Sequence, residues 1–118
     1  MGRTKRITLA AAFLIALGLA VGADERSLRF TVIDFPGAIA TTAFGINERG
    51  EVVGSYSDSS NKTHGFVQIG EVFRSVDFPG ALMTRARGIS PAGEIVGNYR
   101  LPGEPPVNAH GYLLTRGG

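Results

Sequence analysis

Twelve residues at 45–56, GINERGEVVGSY, return as GISPAGEIVGNY at 88–99, 43 positions later. The match is part of a longer one. Aligned without a gap, 34–56 and 77–99 share DFPGA, then Thr41 with Thr84, Ala43 with Ala86 and Gly45-Ile46 with Gly88-Ile89. Gly50-Glu51, Val53-Gly54 and Tyr56 also recur, as Gly93-Glu94, Val96-Gly97 and Tyr99, so 14 of 23 positions are identical. Beyond them HGF (64–66) meets HGY (110–112), with three extra residues in the second copy. Self-similarity at a period of about 20–50 residues is the mark of solenoids, propellers and arrays, in which one supersecondary unit is stacked on itself.

Each unit reads as short strands and tight turns. Past residue 23 no segment carries apolar residues at helical spacing over three turns, and Gly and Pro interrupt throughout. TAFGI (42–46) and EVVGSY (51–56) flank NERG, whose counterpart is SPAG. Pro91 has the φ that a type I turn wants, and Gly50 or Gly93 supplies the left-handed residue after it. HGFVQ (64–68) and EVFRSVDF (71–78) flank a second hairpin at Ile69-Gly70, and Pro36-Gly37 and Pro79-Gly80 suit type II turns. Glycines 45, 54, 88 and 97 within strands predict bulges or close backbone approach. Val52-Val53 and Ile95-Val96 are consecutive apolar pairs, as in strands covered on both faces.

The expected fold is all-β: two tandem four-stranded antiparallel repeats of about 43 residues, propeller-blade-like, at roughly 34–76 and 77–118. The unit is permuted. RFTVIDFPGA (29–38) resembles FRSVDFPGA near 73–81, so the chain after residue 23 opens with the last strand of a repeat. That strand is a candidate to close the second copy. Two units cannot close a propeller of about 4–8 blades; chains associate, the eight strands close another way, or the protein is a degenerate fragment of a longer repeat protein.

The first 23 residues read differently. Arg3, Lys5 and Arg6 precede an uncharged apolar run from Ile7 to about Val21, then small Val21-Gly22-Ala23 and acidic Asp24-Glu25. That order is a secretory signal peptide cleaved after Ala23; an uncleaved anchor is the alternative. Without those residues nine Lys+Arg face 10 Asp+Glu, so the net charge near +2 becomes about −1. The basic balance is therefore no argument for nucleic acid. The expected product is a two-repeat β domain, 24–118, secreted to the periplasm or outside the cell, with no stable membrane span after cleavage. A chain of that length buries only about two-thirds of its unfolded surface. It has no cysteine, which excludes disulfide staples, thiol catalysis and thiolate metal sites.

The motif GIN-x-x-G-E-V-V-G-x-Y, then H-G-F, then V-F-x-x-V-D-F-P-G-A resembles the HAF-repeat family of bacterial extracellular proteins. Glycine stands for the family's alanine in His64-Gly65-Phe66 and His110-Gly111-Tyr112, and tyrosine for phenylalanine in the second. The resemblance covers nearly all of 24–118 and implies export and a propeller-like β architecture. It carries no assigned activity or catalytic residue, and family members usually have more repeats than two.

The candidate binding residues are His64, His110, Tyr56 and Tyr99. Repeated histidines would line one face and hold a ligand or metal, or each would start a strand and bond a neighbouring turn. Two imidazoles with no acid at ligand spacing are a weak metal signal. Tyr56 and Tyr99, with Arg87 and Arg100, form either a polar-aromatic surface or cross-strand packing. Asp34 and Asp77 are turn caps or an acid–base pair, and Glu51 and Glu94 read as solvated edge carboxylates. Asp58, Ser60 and Asn61 make a solvated loop rather than a calcium site. Asn61-Lys62-Thr63 is a glycosylation sequon that matters only in a eukaryotic pathway. Ser57, Ser59 and Ser60 lack a nucleophile elbow. The expectation is a non-enzymatic structural or binding module, without cofactor or metal, whose partner is a glycan, a protein or itself through exposed edge strands. The rival is a secreted hydrolase or metal-binding protein in which Asp34, Asp77 and both histidines converge.

Overall fold

The computed structural model describes residues 3–9 and 27–117, with the backbone alone for 3–9. The described residues are all β. The strands are β1 (Arg3–Leu9), β2 (Leu28–Asp34), β3 (Ala40–Ile46), β4 (Val52–Ser57), β5 (Thr63–Ile69), β6 (Val72–Val76), β7 (Met83–Ile89), β8 (Ile95–Arg100) and β9 (His110–Leu114). They form antiparallel sheets in the orders β3-β4-β5-β6 and β7-β8-β9, and a separate pair β1-β2. Among the described residues no helix is long and apolar enough to cross a membrane.

The repeated letters take the same pairing twice. Ala40 faces Ser57 and Ile46 faces Val52 in one sheet; Met83 faces Arg100 and Ile89 faces Ile95 in the other. The register shifts at Ala43/Gly45 and again, 43 residues on, at Ala86/Gly88. Each bulge follows from the glycine pattern. A side chain at Gly54 would strike the Thr42 carbonyl, and one at Gly97 the Arg85 carbonyl. The turns follow their sequences. Gly50 and Gly93 sit at φ of 79° and 87°, and their N–H groups bond back to Asn47 and Ser90. The β5–β6 loop is Gly70-Glu71, one residue later than Ile69-Gly70, because Ile69 pairs with Val72 and Gly70 takes the positive φ.

The Phe-Pro-Gly-Ala turns close by Ala38 N–H donating to the Phe35 carbonyl and Ala81 N–H to that of Phe78. Their capping differs from expectation. The Phe35 and Phe78 N–H groups donate to Thr41 Oγ1 and Thr84 Oγ1, each at 3.0 Å, so threonines cap these turns and not Asp34 or Asp77.

The core lies where β7 and β8 pack on the face of β4 and β5. Val53, Val67, Val76, Ala86 and Ile95 make one cluster, with Ile69, Ile89 and Tyr112 at its margin. Gly65 permits this approach, since a Cβ there would lie 3.1 Å from the Ala86 nitrogen. A second cluster, on the other face of the first sheet, joins Val52, Tyr56 and Phe66 with Ile33, Phe35 and Phe73. β4 is thus covered on both faces, as its Val52-Val53 pair predicts. β8 is not: Ile95 is buried but Val96 is 50% exposed.

The N-terminal strand does not close the second sheet within the chain. β2 pairs with β1, from Arg3 opposite Asp34 to Leu9 opposite Leu28. Its exit is held at the first sheet, where the Phe35 ring lies 3.7 Å from that of Tyr56. β1 falls inside the segment read as an export signal. Most of that segment's apolar run, and the cleavage position, lie outside the described residues.

Candidate functional site

The four candidate residues stand in two matching stacks. Tyr56 on β4 lies opposite His64 on β5, and Tyr99 on β8 opposite His110 on β9. The turn phenylalanine completes each stack from the far side. Phe35 and Tyr56 are 3.7 Å apart at an interplanar angle of 6°, and Tyr56 and His64 are 4.8 Å apart. Phe78 and Tyr99 are 3.6 Å apart at 4°, and Tyr99 and His110 are 5.1 Å apart. The strand pleat fixes this order, because directly opposed residues project on the same face.

The first stack ends in a histidine gripped by two carboxylates. His64 Nε2 lies 2.7 Å from Asp58 Oδ2 and its Nδ1 lies 2.8 Å from Asp77 Oδ1. Both nitrogens donate only when the ring is an imidazolium. Burial opposes that charge, but the hydrogen bonds that the ring donates to Asp58 and Asp77 outweigh it and raise the His64 pKa above 6.5. Asp58 responds in the opposite sense. The His64 bond, with the backbone N–H groups of Lys62 and Ser60, holds its carboxyl below the usual range. Asp58 therefore organises its loop and charges the ring together.

The second stack has one carboxylate. Glu104 reaches His110 Nε2 with both oxygens, at 2.9 and 3.0 Å, and this bond, with the Leu101 N–H, lowers the Glu104 pKa. Asp58 and Glu104 each stand six residues before their histidine. That shared spacing is the signal in the sequence that comparison of the two loops by identity misses. His110 Nδ1 has no hydrogen-bond partner among the described residues.

Tyr56 and Tyr112 are tied down by their hydroxyls. Tyr56 is buried, its hydroxyl bonds that of Ser75, and burial is the main cause that raises its pKa. Tyr112 donates to the Arg85 carbonyl at 2.9 Å; burial first, and the charge of Asp77 second, push its pKa up to about 12. The two arginines named with Tyr99 have other partners. Arg87 lies 4.8 Å over the Phe44 ring and donates to Asn98, while Arg100 donates to the Pro106 carbonyl. Glu51 also departs from its expected solvated place. It is buried, receives the Asn47 amide at 2.8 Å and faces Arg49 and Arg116.

Asp34, Asp77 and the two histidines do not share one pocket. Asp77 alone meets a histidine, and no hydrogen bond links Asp34 to either ring. Asp58 and Asp77 hold opposite nitrogens of His64, so they do not converge on one point. No group of three or more His, Asp or Glu able to hold a metal ion is found among the described residues.

In comparisons with known proteins, no family model, no curated protein and no solved structure matches the chain.

Proposed function

We propose that this chain is an exported structural or binding module made of two copies of one propeller-blade-like β unit, and that it works by presenting equivalent surfaces rather than by catalysis. The observation that carries this reading is the histidine stack built once per unit, each ring tied to an acid from its own loop. A hydrolase would aim an imidazole and a carboxylate at a shared substrate position with one nitrogen open to it. His64 has both nitrogens engaged, and His110, which keeps Nδ1 open, has its single acid on the other nitrogen and no hydroxyl bonded to the ring among the described residues. The residues that resemble the HAF-repeat signature, and the charged, apolar, small order of 1–23, support export.

The test is a paired measurement on the wild type, His64→Ala and His110→Ala. Turnover is measured on chromogenic esters, glycosides and phosphoesters, and stability by thermal melting. The module reading expects no turnover in any of them and a lower Tm for His64→Ala. Wild-type turnover abolished by either substitution at unchanged Tm would establish the hydrolase instead.

A further inference from the structure

The two sheets differ most at one edge. In the first, β6 covers the outer edge of β5. In the second, no strand covers the outer edge of β9 among the described residues. The strand whose letters match β6 is β2: Phe30, Ile33, Asp34 and Phe35 stand 43 residues before Phe73, Val76, Asp77 and Phe78. We infer that the open edge of β9 receives strand β2 of a second copy of this chain, in the register that places Ile33 opposite Gly111 and Thr31 opposite Leu113, so that copies join head to tail.

The register comes from the first sheet. There Val76 faces Gly65 and Arg74 faces Val67. The corresponding residues are Ile33, Gly111, Thr31 and Leu113. Three local features fit an incoming strand. A groove of about 350 Å³ is lined by residues 75–79, Phe78 among them, and by Tyr112, Leu113 and Leu114 of β9. Phe30, 53% exposed, would fill it as Phe73 fills the space beside Phe35 and Phe66, at 5.6 and 5.9 Å. Asp34 would then stand beside the unoccupied Nδ1 of His110, as Asp77 stands beside that of His64.

The faces behind the strands fit too. Val53 and Val67 are buried under Ala86 and Ile89. Their counterparts Val96 and Leu113 are exposed, and so are the counterparts of the cover, Ala43 and Ile46. One end of the molecule thus offers what the other end lacks. The occupant is a second copy and not the same chain's β2, because Phe35 anchors the end of β2 on the first sheet, on the face away from β7–β9. Such an interface is heterologous: it closes a ring if the rotation permits and otherwise grows a filament. Since a propeller has about 4–8 blades, a few copies would supply enough sheets for a ring. β1 holds one edge of β2 in the full chain; cleavage after Ala23 would release it.

The inference rests on the repeat-module reading, but its failure would leave that reading standing, since the histidine variants decide the latter. The test exploits a chain with no cysteine. Thr31→Cys and Leu113→Cys are introduced together, into the full chain and into the chain beginning at Asp24. Directly opposed antiparallel residues lie within disulfide reach. Mild oxidation is expected to give a ladder of disulfide-linked oligomers. Mixing the two single variants is expected to give a heterodimer in preference to either homodimer. Gly111→Val in the double variant should erase the ladder at unchanged Tm, because among the described residues a Cβ there meets nothing nearer than the Gly97 carbonyl oxygen at 3.8 Å. A disulfide formed only within one chain, the absence of a ladder from both forms, or a ladder that survives Gly111→Val would overturn the inference.

Discussion

Val53 and Val96 are the same letter in the same strand position of the two sheets, yet one is 0% and the other 50% exposed. Val67 and its counterpart Leu113 repeat the contrast, at 6% and 62%. The pairing and the bulge around them agree, and so do the first hairpin turns. The difference therefore does not lie in the unit. It lies in the neighbour: the first sheet has β7, with Ile95 of β8, on that face and β6 on its edge, and among the described residues the second has neither. Local sequence sets the strand and its register, whereas burial is set by what the next unit brings.

The contrast breaks most sharply in the aromatic core. Phe66 is fully buried, so Phe66→Ala should cost about 3–5 kcal/mol. Its counterpart Tyr112, half-buried and bonded to Arg85, should lose about 2 kcal/mol on the same truncation. Denaturant unfolding of both variants checks this, and equal losses would mean that the second sheet is covered in solution. The next largest effect is Gly54→Ala, expected to lose about 2–3 kcal/mol because the added methyl meets the Thr42 carbonyl and the Phe66 ring. Gly97→Ala should lose a similar amount, since its bulge has the same wall; a neutral result at either glycine would contradict the shared bulge.

Val53→Ala should cost about 2 kcal/mol and Val96→Ala within about 0.5 kcal/mol in the separated chain. The gap should close with rising protein concentration if copies cover Val96, which melting of both variants over a concentration series reads directly. The smallest effect is that of pH. A ring whose pKa is raised on folding adds stability that is present in full below 6.5 and is lost as pH rises through its folded value. Asp58, lowered on folding, adds stability present above 3.8 and lost as pH falls through its folded value. Melting between pH 5 and 8 should therefore show a decline toward high pH that His64→Ala removes. An undiminished slope in that variant would assign the effect elsewhere.

Hairpins, bulges and turns were legible because each is a local constraint written twice. Gly50 and Gly93, or Pro36-Gly37 and Pro79-Gly80, leave the backbone few alternatives. The candidate site was legible in part. The repetition marks His64, His110, Tyr56 and Tyr99, but not that the tyrosines lie between two rings or that the histidines end the stacks. Asp58 and Glu104 escaped because their loops differ in length and letters, and only the distance to the histidine is kept. The Thr41 and Thr84 caps escaped because a carboxylate stands directly before each turn, while the threonine lies six residues beyond the N–H it caps. Glu51 was misplaced because one of the arginines that faces it, Arg116, lies 65 positions away and no local pattern announces it.

The measurement that bears most directly on one unit built twice with one end left open is the solution mass of the chain beginning at Asp24, by light scattering on a sizing column. The account predicts a discrete multiple of the chain, or a filament, that Gly111→Val reduces to a folded monomer. A wild-type monomer at every concentration, with Val96 and Leu113 as exposed as they stand here, would contradict it.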